Sequence, residues 1–165
     1  MVHIRNLLFM FVVKIDTMKK NGYYGIGILN PKTSENFGTL YRTAQILNAD
    51  FIFIIGTRFK VQTSDTMNSS KHIPLFEYKD FKDFNNHRPY SCKLIGIEIT
   101  DTATKLHEFK HPKQGCYLLG SEDNGLTKEA IDNCQEIIYL EGERSMNVAV
   151  AGSIVLYDRH IKFKL

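Results

Sequence analysis

Apolar and polar positions along the chain follow two alternating rhythms. Tyr23 to Leu29 (YYGIGIL) is a short apolar run closed by Asn30-Pro31, a turn signal, and reads as a first buried strand. The spacing then lengthens: Phe37, Leu40, Tyr41, Ala44 and Leu47 recur at helical intervals, which predicts a helix over about 34–48 with Thr33 or Ser34 as its N-cap. Its other face carries Glu35, Gly38, Arg42 and Gln45, with Gly38 and Arg42 one turn apart. Phe51 to Ile55 (FIFII) is apolar throughout, the mark of a strand covered on both faces, and ends at Gly56. Residues 57–72 are polar and Ser/Thr-rich and read as a loop with room for one helical turn. Ile73 to Tyr78 predicts a short strand, followed by a helix to about Asn85, and Lys93 to Ile99 (KLIGIEI) predicts a better strand. Cys116–Leu119 and Gln135–Leu140 complete the strands, with a helix over about 126–133 between them and a last helix over about 146–162.

Strands alternating with helices at this pace predict an α/β fold, a mostly parallel sheet flanked by helices on both faces. In such sheets ligands bind beyond the carboxyl ends of the strands, and two such ends, 118–126 and 138–147, lie close together in the sequence. The 165 residues, 43% hydrophobic, suit one domain with a substantial core. Residues 1–17 stand apart. Their apolar run Leu7–Val13 is too short for a bilayer, which takes roughly 20 residues, and no small-residue cleavage site follows it. Met18 opens a stretch that reads as a natural start. The expectation is an N-terminal extension over 1–17 outside the fold, a single domain over 18–165, and no membrane segment.

A formal charge of only +3 leaves attraction to an acidic partner to clustered Lys and Arg. Cys92, Cys116 and Cys134 sit in or beside apolar segments, with neither CxxC nor a Cys/His pair at zinc spacing. They are expected to be reduced core residues of a cytoplasmic protein, with no disulfide and no metal.

Standard nucleotide motifs fail in turn. Gly120 to Gly125 has the GxxxxG spacing of a phosphate loop, but Leu126-Thr127 follows where Lys-Ser/Thr is needed. Gly25-Ile26-Gly27 lies inside a strand and leads to Asn-Pro rather than a helix, so it is no dinucleotide fingerprint. Neither GxSxG nor HExxH occurs, which leaves hydrolase chemistry without an anchor.

What remains is a trio: NFGTLYRTA (Asn36–Ala44), LLGSEDNGL (Leu118–Leu126) and SMNVAVAGSIVLYD (Ser145–Asp158). In order and spacing these resemble the three motifs of the SpoU/TrmH family of RNA 2′-O-ribose methyltransferases, within the SPOUT superfamily, over nearly everything from Tyr23 to Leu165. The resemblance implies S-adenosyl-L-methionine as cofactor, tRNA or rRNA as partner, a homodimer, and a last helix threaded through a loop as a C-terminal deep trefoil knot. Asn36 and Arg42 match the catalytic Asn and Arg of the first motif. Glu122 matches the acid of the second, and Ser145 and Asn147 the polar pair of the third. The cofactor is expected against Leu119, Gly120, Ile138, Leu140, Ser145 and Met146. Ile138-Tyr139-Leu140 stands where the family usually has Ile-Pro-Met, and the turn 141–144 is about a residue short. Without an added RNA-binding domain the chain resembles the minimal members, among them methyltransferases of the tRNA wobble nucleotide.

Methyl transfer from a sulfonium needs alignment more than acid catalysis, and alignment alone supplies several powers of ten. The resemblance also offers Arg42 as general base. A guanidinium with a pKa of roughly 12.5 is a poor proton acceptor, so a bidentate phosphate clamp suits it better. RNA contacts are expected near the cleft mouth from Arg42, Arg58, Lys60, Lys110, His111 and Lys113, with Phe109 available to stack a base. Each residue also has a plain alternative: Asn36 and Ser145 as helix caps, Glu122 as an acid favouring the next helix, 107–113 as a solvated loop. Two rival functions stay open, a non-catalytic RNA-binding or ribosome-assembly factor and a methyltransferase of a base nitrogen.

Overall fold

The computed structural model describes residues 22–56, 58 and 73–164. The proposed extension over 1–17, the helical turn expected within 57–72 and Lys60 lie outside the described residues. Seven strands form one sheet: β1 (Tyr23–Leu29), β2 (Phe51–Ile55), β3 (Leu75–Tyr78), β4 (Lys93–Ile97), β5 (Thr104–Lys105), β6 (Gln114–Leu119) and β7 (Glu136–Tyr139). The spatial order is β3-β2-β1-β6-β4-β7-β5, and every pairing is parallel. Among the described residues four α-helices cover it: α1 (Ser34–Ile46), α2 (Phe81–His87), α3 (Lys128–Asn133) and α4 (Val148–Lys162).

Side-chain alternation assigns the helices to faces. Ile26 and Ile28 of β1, with Ile52, Ile54, Tyr117 and Leu119, pack against Leu40 and Ala44 of α1 and Val155 and Leu156 of α4. Their neighbours Phe51, Phe53, Cys116 and Leu118 point the other way, onto Phe81 and Phe84 of α2 and Ala130 of α3. The glycines of YYGIGIL now have a reason: a Cβ on Gly25 or Gly27 would lie 2.3 Å from the ring of Phe51 or Phe53, so those positions leave room for β2 phenyl groups.

Several boundaries move from their expected positions. The last helix starts at Val148 rather than 146, because Asn147 is its N-cap, the side chain accepting from Ala149 N and Val150 N. Likewise α3 starts at Lys128 behind Thr127, whose side chain accepts from Ala130 N. The edge strand β5 pairs through Thr104 and Lys105 only and carries no apolar run that could announce it. Leading into the basic 107–113 stretch, Leu106–Glu108 form a 3₁₀ turn.

The C-terminal half of α4 is fastened to that stretch. Lys162 Nζ donates to the carbonyls of Leu106, His107 and Phe109 at 2.8, 3.0 and 3.1 Å, and Arg159 donates to those of Pro112 and Lys113. His111, its side chain fully buried, lies between Tyr117 Oη at 2.6 Å and Asp158 Oδ2 at 2.9 Å. Burial pushes the His111 ring down to about 4, outweighing the Asp158 carboxylate, and the nearby Arg159 and Lys162 push the same way. The ring is therefore neutral at pH 7, with Nδ1 accepting from Tyr117 and Nε2–H donating to Asp158. The three cysteines are free, Cys92 and Cys116 buried and Cys134 half-buried.

Candidate active site

The carboxyl ends of β4, β6 and β7 open into one cleft of about 690 Å³. The chain leaving β6 makes a tight turn, Ser121 and Gly125 bridging as a small antiparallel pair (Ser121 N to Gly125 O 3.2 Å, the reverse 2.9 Å). Gly120 makes that turn possible: a Cβ there would stand 2.0 Å from the carbonyl carbon of Gly125. Leu119, Gly120, Leu140, Ser145 and Met146, all expected to hold cofactor, line the cleft. Ile138 does not. It is fully buried in the core, and its carbonyl accepts Glu98 N at 3.0 Å, so the expected adenine contact at this position is corrected.

Three distant segments meet at the rim. Asn36 Nδ2 donates to Glu122 Oε1 at 2.8 Å, and Asn36 Oδ1 accepts from Asn147 Nδ2 at 2.9 Å. Glu122 further accepts from Lys32 N at 2.9 Å and from the Thr33 hydroxyl at 3.4 Å, which seats its carboxylate over the N-terminus of α1. Partial burial pushes the Glu122 carboxyl up, but the hydrogen bonds from Asn36 and Lys32 outweigh it and hold it below the usual carboxylate range. Asn36 is not a cap. Thr33 caps α1, and Asn36 supplies the N–H that Thr33 satisfies at 3.4 Å, leaving its amide side chain for the rim. Ser145 is exposed and caps nothing.

Among known families, the model described as the SpoU rRNA Methylase family matches residues 25–157. The chain belongs to this family. It is 24% identical over 129 residues to the tRNA (guanosine(18)-2′-O)-methyltransferase of Escherichia coli K12, covering 74% of this chain but 56% of that protein. It therefore spans little more than half the length of that relative. A second relative, the tRNA (cytidine(34)-2′-O)-methyltransferase of Ancylobacter novellus, is 24% identical over 138 residues, covering 79% of this chain and 87% of that one. The AdoMet-bound rRNA methyltransferase of Sinorhizobium meliloti shares the fold at a TM-score of 0.76 and 21% identity, over 85% of this chain and 56% of its own.

In this SpoU family chain the other expected residues scatter. Arg42 is exposed on α1, six residues and about 9 Å of helix beyond Asn36, and does not line the cleft. Arg58 lies beside the cleft, but its guanidinium is already held bidentately by Asp123 at 2.7 and 3.0 Å. That contact holds the Asp123 carboxyl far below its usual range. Lys110 and Lys113 precede β6 and so stand at the amino end of the sheet, opposite the cleft mouth where they were expected. Phe109 is 6% exposed and His111 is buried under Asp158, so neither can stack or contact RNA as expected.

One cleft residue escaped the sequence reading. Glu98 accepts Leu126 N at 2.7 Å and Ile99 N at 3.0 Å, bracing the far side of the Gly120–Leu126 turn while lining the cleft. Its signal was an acid inside the apolar run KLIGIEI, one of few reasons for a carboxylate to sit there. Among the described residues, no group of three or more His, Cys, Asp or Glu is placed to hold a metal, and no helix is long and apolar enough to cross a membrane.

Proposed function

We propose that this chain is an S-adenosylmethionine-dependent RNA methyltransferase acting on a ribose 2′-hydroxyl, with tRNA as substrate and the wobble nucleotide as its site. The observation that carries it is the Asn147–Asn36–Glu122 hydrogen-bonded chain, which joins three remote segments at the mouth of a cleft. The wobble nucleotide is favoured by the likeness to the Ancylobacter relative, which takes in 79% of this chain against 74% for the Escherichia one at the same 24% identity.

The cleft suits the cofactor. Leu119, Leu140 and Val148 give an apolar wall for a purine, while the close-packed Gly120 turn presents backbone, and Glu98 offers a carboxylate to hydroxyl or ammonium groups. When bound, the cofactor supplies an activated methyl on a sulfonium. The residues present do the positioning: Asn36 and Asn147 form an amide platform for the incoming ribose, and the ionised Glu122 fixes that platform's orientation.

Two copies of the chain complete the assembly. Val150, Ile154, Tyr157 and Ile161 of α4, 38–57% exposed, fall on one helix face, and Ile46 of α1 is 67% exposed. Arg42 and Ile46 are one turn apart, so pairing through this face carries Arg42 of one copy toward the other's cleft, where it clamps an RNA phosphate. The fastening of α4 to 106–113 supports threading of the C-terminus as a trefoil knot.

Incubation with methyl-labelled S-adenosylmethionine and total RNA, followed by digestion to nucleosides, tests the reading. Label in 2′-O-methylcytidine or 2′-O-methyluridine from tRNA is expected. Base-methylated nucleosides, or RNA binding without label, would establish one of the rival functions instead.

A further inference from the structure

At the amino end of the sheet, opposite the cleft, a second concavity of about 470 Å³ is framed by Asn85, Asn86, Arg88, Tyr90, Lys93 and Gln135. Its lining holds two cations, three side-chain amides and no acid. Tyr90 is 98% exposed. The backbone holds it there: Cys92 N donates to Pro89 O at 3.1 Å, closing a reverse turn with Ser91 at φ +71° in its third position. That position favours Gly, and a serine there strains the chain while keeping a large ring wholly in water. The Arg88 guanidinium is aimed by Gln135, whose Oε1 accepts from Arg88 at 3.2 Å and from Leu94 N at 2.7 Å. Among the described residues Arg88 makes no ion pair, and Gln135 takes only its Nη1.

We infer that this concavity is a second RNA contact, taking one single-stranded nucleotide with its base stacked on Tyr90 and its phosphate on Arg88 and Lys93. It rests on the reading of the chain as an RNA-binding enzyme. A planar ring in full exposure beside Arg88, which no carboxylate pairs among the described residues, and Lys93, which Glu136 holds only at 3.5 Å, is the pairing that stacks a base and neutralises its phosphate, without regard to base identity. The acids of this edge are already engaged, Asp50 by Tyr24 N at 2.9 Å and Glu136 by Lys93 Nζ at 3.5 Å. Lys93 pairs in register with Gly115, two residues beyond Lys113, so Lys110 and Lys113 extend the same basic edge. A bound RNA thus reaches this patch only if it passes from one end of the sheet to the other, which a folded tRNA is large enough to do.

Fluorescence anisotropy of a labelled oligouridylate of roughly 12 nucleotides, long enough for one such groove, tests the assignment on the full chain. Tyr90→Ala is expected to weaken binding roughly 5- to 100-fold, the loss of one stacked base. Tyr90→Phe, which keeps the ring, is expected to bind as wild type. Arg88→Ala is expected to lower the slope of log K against log salt by about 0.7, one single-strand phosphate. Wild-type affinity and salt slope in both alanine variants would overturn the proposal, and so would a Tyr90→Phe as weak as Tyr90→Ala. A protein ligand at this face leaves all three RNA readouts at wild-type values and overturns it in the same way. Because the oligonucleotide is read without turnover, a wild-type protein that methylates no RNA sinks the enzymatic reading alone.

Discussion

Asn36 and Glu122, 86 positions apart in sequence, are joined by a 2.8 Å hydrogen bond that fixes which way the Asn36 amide points. An ionised carboxylate accepts only, so Asn36 must present Nδ2 to Glu122 and Oδ1 to Asn147. Asn147 must in turn donate from Nδ2, which leaves its own Oδ1 to cap α4 through Ala149 N at 2.9 Å and Val150 N at 3.3 Å. The two jobs of Asn147 can therefore be separated. Asn147→Asp keeps the cap but meets Asn36 Oδ1 with a second acceptor. Stability is expected to stay within about 1 kcal/mol of wild type, while methyl transfer falls by on the order of 10²-fold. Asn147→Ala loses both, and about 1 kcal/mol of stability with them. Paired thermal melts and turnover assays check this; equal activity in Asn147→Asp and wild type would detach the amide chain from catalysis.

Gly120→Ala probes the cleft wall. The added methyl falls against the Gly125 backbone rather than a yielding side-chain tip, so the turn must open. A loss of roughly 1–3 kcal/mol is expected, together with loss of S-adenosylmethionine binding by calorimetry. Retained affinity would place the cofactor away from this turn.

Apart from the two-residue β5, the strands and the helices were legible because their apolar periods are clean, and FIFII and the α1 stripe leave little choice. The cleft was legible because turns after buried parallel strands must gather at one end of the sheet. Residues whose meaning depends on strand direction were not. Lys110, Lys113 and Phe109 form a basic aromatic loop in the sequence, yet entry into β6 puts the lysines at the wrong end and packing hides the ring. Ile138 failed for a related reason: the two ends of a four-residue strand differ by one step between core and cleft. Glu98 was visible as an acid in an apolar run, but its two backbone partners lie on the following residue and on the turn after β6.

The proposed pairing through α1 and α4 predicts a concentration-dependent particle size. Tyr157→Asp, at a 57% exposed position on the apolar face, should leave the monomer folded and shift sedimentation from dimer to monomer. Arg42→Ala should abolish methylation while S-adenosylmethionine binding survives. Mixing the inactive Arg42→Ala and Asn36→Ala proteins should restore up to about a quarter of wild-type activity if Arg42 serves the partner's cleft, since random exchange yields dimers with one intact pair of sites. No recovery on mixing would confine Arg42 to its own protomer.

The His111 cluster predicts an acid-labile C-terminus. The ring titrates near its ordinary 6.5 in the unfolded chain and at about 4 when buried against Tyr117 and Asp158. Between those values the unfolded chain binds a proton that the folded chain refuses, so the contribution is fully present above about 6.5 and is lost as the pH falls toward 4. On the order of 1–2 kcal/mol should disappear by about pH 5. Other groups titrate over the same range, so the informative quantity is a difference. His111→Gln lacks the titrating ring and should be less stable than wild type at neutral pH by roughly 1–3 kcal/mol, the loss of buried hydrogen bonds. It takes up no such proton, so its deficit should narrow steadily on acidification in urea titrations. A gap that stays constant from neutral to acid pH would mean that His111 is not the group refusing the proton, and that the lock between α4 and 106–113 rests on Lys162 and Arg159 alone.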